Sequence, residues 1–186
     1  ICLVIVSFIS IHAQKKSQPN IVLIMTDQHQ AEALSIAGNA DVKTPNLDKL
    51  AKSGMRFDKT YVTFPLCTPS RSSIFTGKMP HNLGVNSNEI GDDKIKPSEK
   101  EFMLSKVLQQ AGYDCAYGGK WHVSEPSMVE GNGFDMIAPM GDIGLAEKSI
   151  DFLKSKIGSE KPFFLTVSFD NPHTICEWAR NEPLAY

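Results

Sequence analysis

The chain has 186 residues, a length suited to one domain, with 41% hydrophobic residues and a formal net charge of −2. That near-neutral balance excludes the electrostatic footprint of a nucleic-acid-binding protein. Ile1 to Ala13 is almost wholly apolar and carries no charged side chain. It reads as the apolar part of a secretory signal peptide lacking its basic start, with cleavage after Ala13 and export to the periplasm or extracellular space. Ser7, Ser10 and His12 interrupt it, and it is short of the about 20 residues of a membrane span, so no stable membrane insertion is expected. A buried core strand is the alternative. The polar residues 14–19 that follow read as a linker and favour the leader.

Asn20-Ile21-Val22-Leu23-Ile24-Met25-Thr26 is a continuous apolar run rich in β-branched residues, which predicts a strand buried on both faces. Pro45 to Gly54 predicts a short helix, with Thr44 as its N-cap, Pro45 at its first position and Gly54 as its stop. Phe57 to Val62 predicts a short strand leading to Cys67. There a loop turns into a helix, with Pro69 in the first turn and Ile74 and Phe75 on its apolar face. Lys100 to Gln110 places Phe102, Met103, Val107 and Leu108 at helical spacing, and Gly112 ends the run. Tyr113 to Tyr117 predicts the next strand, Gly131 to Gly141 a loop, and Ile143 to Ile157 an amphipathic helix. Pro162 to Phe169 is a second strongly apolar strand. Strands alternating with helices imply an α/β layered domain with a mostly parallel central sheet.

The residues that carry chemistry follow strands. Asp27 follows the first, Lys120 and His122 the third, and His173 the last, where open α/β sheets build their sites. A polar atom on residue 67 would lie at a helix N-terminus, which favours an anion. Each residue also has a plainer reading: a small buried thiol for Cys67, a turn residue for Asp27, a solvated charge for Lys120, a loop residue for His173. Four cysteines are present. Cys2 would leave with the leader, and Cys115 and Cys176 are either free or paired in an oxidising compartment.

Cys67-Thr68-Pro69-Ser70-Arg71, continued by Ser72-Ser73-Ile74-Phe75-Thr76-Gly77, resembles the signature of type I sulfatases. Gly118-Gly119-Lys120-Trp121-His122 resembles that family's G-K-W-H element, and Asn171-Pro172-His173 stands where it has a further histidine. Thr44 to Ala51 and Gly133-Phe134-Asp135 match as well, so the resemblance runs from Pro19 to about His173. It implies an alkaline-phosphatase-like fold, with residues 20–186 forming the N-terminal part of the catalytic domain. It further implies that a maturation enzyme converts Cys67 to formylglycine. Asp27 and Gln28, with the modified Cys67, would hold Ca2+ or Mg2+. Gln28 departs from the family's commoner Asp and brings an oxygen ligand without charge.

In the implied reaction, a hydroxyl of the hydrated aldehyde attacks the sulfur of a sulfate ester. Arg71 fixes the attacking group, Lys120 neutralises sulfate charge, His173 protonates the leaving alcohol, and His122 strips the second hydroxyl to expel sulfate. The family draws two more metal ligands and a second lysine from a later segment. The expectation is therefore a part of a larger enzyme, inactive by itself, with apolar sheet edge exposed. A sulfated small molecule or glycan is the expected substrate, most readily a carbohydrate. A phosphonate or phosphate monoester hydrolase of the same superfamily and a non-catalytic binding remnant are the alternatives. His29 and His81 are weaker candidates, and Trp178 and Arg180 either line the substrate entrance or pack as a loop.

Overall fold

The computed structural model describes residues 18–88, 102–123 and 129–181. The expected leader and most of the linker lie outside the described residues, as does the start of the helix expected from Lys100. The described elements, in chain order, are β1 (Ile21–Asp27), α1 (Pro45–Ser53), α2 (Cys67–Thr76), α3 (Leu104–Gln110), β2 (Asp114–Gly119), β3 (Asp135–Ala138), α4 (Leu145–Ser155), β4 (Phe163–Pro172) and α5 (Ile175–Ala179). The strands pair in the order β1-β4-β2-β3, and every pairing is parallel. Among the described residues no helix is long and apolar enough to cross a membrane.

β4 runs between β1 and β2, and Phe163 through Ser168 are all buried, as its unbroken apolar run requires. β1 has an equally apolar sequence but lies at a sheet edge, and its burial alternates. Ile21, Leu23 and Met25 pack inward while Val22 and Ile24 are 44% and 60% exposed. The expectation of two buried faces is corrected for the described residues: α4 packs on β2, β3 and β4, and Val22 and Ile24 on the other face of β1 are exposed. β3 falls within the stretch read as a loop. Its four residues are too few to show a period, and they become a strand by pairing with β2 (Tyr117 opposite Met136). Phe57 to Val62 forms no strand; Phe57 and Tyr61 are exposed, and strand propensity without a partner does not make a ladder. Pro45 opens α1 as expected, but Thr44 does not cap it with its side chain. The Thr44 hydroxyl bonds Ser35 and Asp48 instead.

Alternate residues of β2 and β4 feed two cores on opposite faces of the sheet. On one face Phe163, Leu165 and Val167 pack with Ala116, Ala138 and Leu145 under α4. On the other, Phe75 of α2 meets Tyr117, Trp121 and Phe134 with ring centroids 5.9, 5.2 and 5.9 Å away. Phe75 is fully buried and joins α2 to the sheet, so it holds the Cys67 turn in place. Phe75→Ala is expected to lower stability by about 3–5 kcal/mol, read as a fall in the urea midpoint. An unchanged midpoint would contradict this packing role.

Candidate active site

Because β1, β2 and β4 are parallel, their carboxyl ends open on the same side. Ser168 of β4 lies opposite Met25 of β1 on one flank and Gly119 of β2 on the other. Asp27, Lys120 and Asp170 therefore converge although they are far apart in sequence. Gly119 has φ +89°, and a Cβ there would stand 2.1 Å from the Ser168 carbonyl oxygen. Only glycine lets β2 turn against β4 at this point and deliver Lys120.

α2 begins at Cys67 itself, after an extended Leu66. The Cys67 thiol donates to Asp27 Oδ1 at 3.5 Å. Arg71, one turn later, leans back toward the helix start as helical side chains do, and it is buried. Its Nη1 donates to the Lys120 carbonyl (2.6 Å) and to Ser168 Oγ (2.8 Å), and its Nη2 to Asp27 Oδ2 (3.2 Å). Lys120 is 3% exposed. Its Nζ bridges Asp27 Oδ2 at 2.8 Å and Asp170 Oδ1 at 2.6 Å. Tyr117 Oη donates to the Lys120 carbonyl at 2.6 Å. Two carboxylates and two cations thus balance in a buried cluster, where an unpaired charge would be costly.

The cluster sets the protonation states around it. Burial alone would raise the Asp27 pKa, but the Lys120 hydrogen bond, with the charges of Lys120, Arg71 and His173, holds it below the usual carboxylate value. Burial would likewise depress Lys120, but its bonds to Asp170 and Asp27 raise it, so the ammonium persists. Burial and the Asp27 carboxylate push the Cys67 thiol up, which makes the unmodified side chain a poor nucleophile. Burial first, then Lys120 and Arg71, lower His122 and favour its neutral ring. His122 is half-buried at φ 52°, and its Nδ1 has no hydrogen-bond partner among the described residues.

Asp27, Gln28, Cys67, Arg71 and His173 line one cavity of about 530 Å³. Lys120 stands behind Asp27, and His122 is not among the lining residues. One ligand atom each from Asp27, Cys67 and His173 lie within 4.8 Å of one another. Gln28 is exposed on the cavity, in the left-handed region at φ 58°, and its Oε1 accepts from the Cys176 thiol at 3.7 Å. The chemistry of these donors suits a divalent cation only in part. Asp27 Oδ1 and the Gln28 carbonyl are hard oxygens, but calcium takes about six to eight of them.

Cys67, Cys115 and Cys176 are all free thiols, so the Cys115–Cys176 pair does not form. Cys115 is buried and donates to the Ser105 carbonyl, and burial pushes its pKa up to about 11. His29 lines the cavity and bonds Thr26 and Ala33, His81 lies in the 3-10 turn Pro80–Leu83, and Trp178 is 69% exposed and is not among the lining residues. The sequence reading missed Asp170, Ser168 and Asn88. Asn88 accepts the Thr68 backbone N–H at 3.1 Å on the cavity wall. Asp170 left one trace, a carboxylate at the polar end of an otherwise apolar strand.

The fold is alkaline-phosphatase-like: a protein of that superfamily from Vibrio parahaemolyticus superposes with a TM-score of 0.65 at 22% identity, over 86% of this chain and 42% of that one. Residues 19–185 match the Sulfatase family model, and the chain belongs to that family. It is similar to the N-acetylglucosamine-6-O-sulfatase of Bacteroides thetaiotaomicron, 41% identical over 126 residues, covering 66% of this chain and 20% of that one. It also resembles a structure solved in complex with its substrate D-glucosamine-2-N,6-O-disulfate. That match has a TM-score of 0.68 at 33% identity, over 83% of this chain and 35% of that one. The chain thus spans about a fifth of the sequence relative and about a third of the solved one.

Proposed function

We propose that the protein carrying this chain is an exported sulfatase that hydrolyses sulfate esters of a carbohydrate after Cys67 is converted to formylglycine. The observation that carries this reading is Cys67 at the first turn of α2, facing Asp27, with Arg71 and Lys120 tied to the same carboxylate. Relatives named for or solved with 6-O-sulfated hexosamines support the sugar as substrate. The apolar stretch from Ile1 to Ala13 supports export.

Asp27 and Gln28, with residue 67, would hold a Ca2+ or Mg2+ ion, which supplies Lewis-acid charge beside the aldehyde-derived nucleophile. The chain's own residues supply the rest. Arg71 is fixed by three acceptors, so its guanidinium meets the nucleophile's position with little loss of freedom. Lys120 keeps its charge behind Asp27 and holds that carboxylate, with Asp170, at the back of the site. His173 reaches the cavity and can give a proton to the leaving oxygen. His122 is held neutral by burial, Lys120 and Arg71, and the family resemblance, not the cavity lining, is what assigns it the second proton transfer.

The test is expression of the full-length protein with a formylglycine-generating enzyme, followed by mass spectrometry of the Cys67 peptide. Sulfate release from 6-O-sulfated N-acetylglucosamine and from 4-nitrophenyl sulfate is assayed alongside. The expected result is an aldehyde at residue 67 and turnover that falls by about 1,000-fold or more in Cys67→Ala. An unmodified thiol together with no hydrolysis of either ester would sink the proposal.

A further inference from the structure

Asp142 lies between β3 and α4, half-buried, and no motif singles it out. Its carboxylate faces the end of β4. Oδ1 accepts the Asp170 backbone N–H at 2.7 Å, and Oδ2 accepts the Asn171 backbone N–H at 2.9 Å and Asn171 Nδ2 at 2.7 Å. The β4 register on β1 slips at this point, with Thr26 opposite Phe169 but Asp27 opposite Pro172. Where a ladder becomes irregular its N–H groups still need acceptors, and Asp142 supplies three bonds in that short stretch.

The bracing reaches the cavity. The His173 N–H donates to the Asp170 carbonyl at 3.0 Å, and the Thr174 hydroxyl donates to Asn171 Oδ1. The backbone that Asp142 grips is therefore the backbone that aims His173. We propose that Asp142 is a positioning residue for proton transfer, holding the Asp170–His173 turn so that the imidazole stands on the cavity. The proposal rests on the sulfatase reading above. Lys120 keeps Asp27 as a partner whatever happens at Asp170, so the effect should concentrate on proton donation rather than on anion binding.

Proton donation matters most for a poor leaving group. In the full-length matured enzyme, Asp142→Ala should lower kcat on the alkyl ester, 6-O-sulfated N-acetylglucosamine, by about 100-fold. On 4-nitrophenyl sulfate, whose leaving group needs no proton, the loss should stay within about 5-fold. Asp142→Asn keeps one acceptor oxygen and should fall between wild type and Asp142→Ala. Hydrogen exchange gives a second readout independent of turnover. The amides of Asp170, Asn171 and His173 should lose protection in both variants while Leu165 to Val167 keep theirs. Equal losses on both esters, or unchanged exchange at Asp170 to His173, would overturn the proposal. A wild-type enzyme that cleaves neither ester counts against the sulfatase reading instead, and the exchange pattern still decides the role of Asp142.

Discussion

Gly119→Ala is expected to destabilise the protein by at least about 4 kcal/mol, enough to threaten folding altogether. The added Cβ would lie 2.1 Å from the Ser168 carbonyl oxygen and 2.9 Å from Leu145 Cδ2. The first neighbour is backbone of the central strand and cannot swing away. The positive φ adds strain of about 1–2 kcal/mol for any L side chain. Relief would require β2 to move off β4, which would undo the pairing that carries Lys120 to Asp27. Gly158→Ala is the control, since Gly158 has φ +79° but a Cβ there would meet nothing within 4 Å. It should cost only the backbone strain. Urea unfolding of the two variants separates them; similar midpoints would show that the close approach at Gly119 does not matter.

Asp27→Asn should cost about 3–5 kcal/mol in the absence of added divalent cation, and should also abolish turnover. The substitution keeps shape and removes charge, leaving Lys120 and Arg71 buried with Asp170 as the neighbouring carboxylate. The pH dependence has a definite sign. The Asp27 pKa is depressed in the folded protein, so its contribution is complete above the ordinary carboxylate value. It is lost as pH falls through the folded value. The stability gap between wild type and Asp27→Asn should therefore be widest near neutrality and close in acid. A gap that stays constant into acid would show that the ion pairs contribute nothing.

Much of the site was legible because its chemistry is local. The residues around Cys67 encode a helix start, with Pro69 in the first turn and Arg71 one turn beyond the cysteine, and the helix begins at Cys67. The Gly118-Gly119-Lys120 element marks where β2 ends, and the structure brings Gly119 against the Ser168 backbone there. Asp27, Lys120 and His173 each follow a strand, and parallel pairing gathers strand ends. The errors have a common cause. Phe57 to Val62 has the composition of a strand and lacks a partner, while β3 is a strand only because Ala116 and Tyr117 stand beside it.

Residue types at short spacing were enough for the family, for the cysteine at the helix start and for the charged groups at strand ends. Their partners came from long-range packing. Asp170 on Lys120, Ser168 under Arg71 and Asp142 beneath the His173 turn lie 50, 97 and 28 positions from the groups they bond. Among the described residues packing also leaves Val22 and Ile24 of β1 exposed, while β4, equally apolar, is covered on both faces. The physical reason is the same in each case: the sheet order β1-β4-β2-β3 is set by which apolar faces bury against one another, and no short-range pattern records that order.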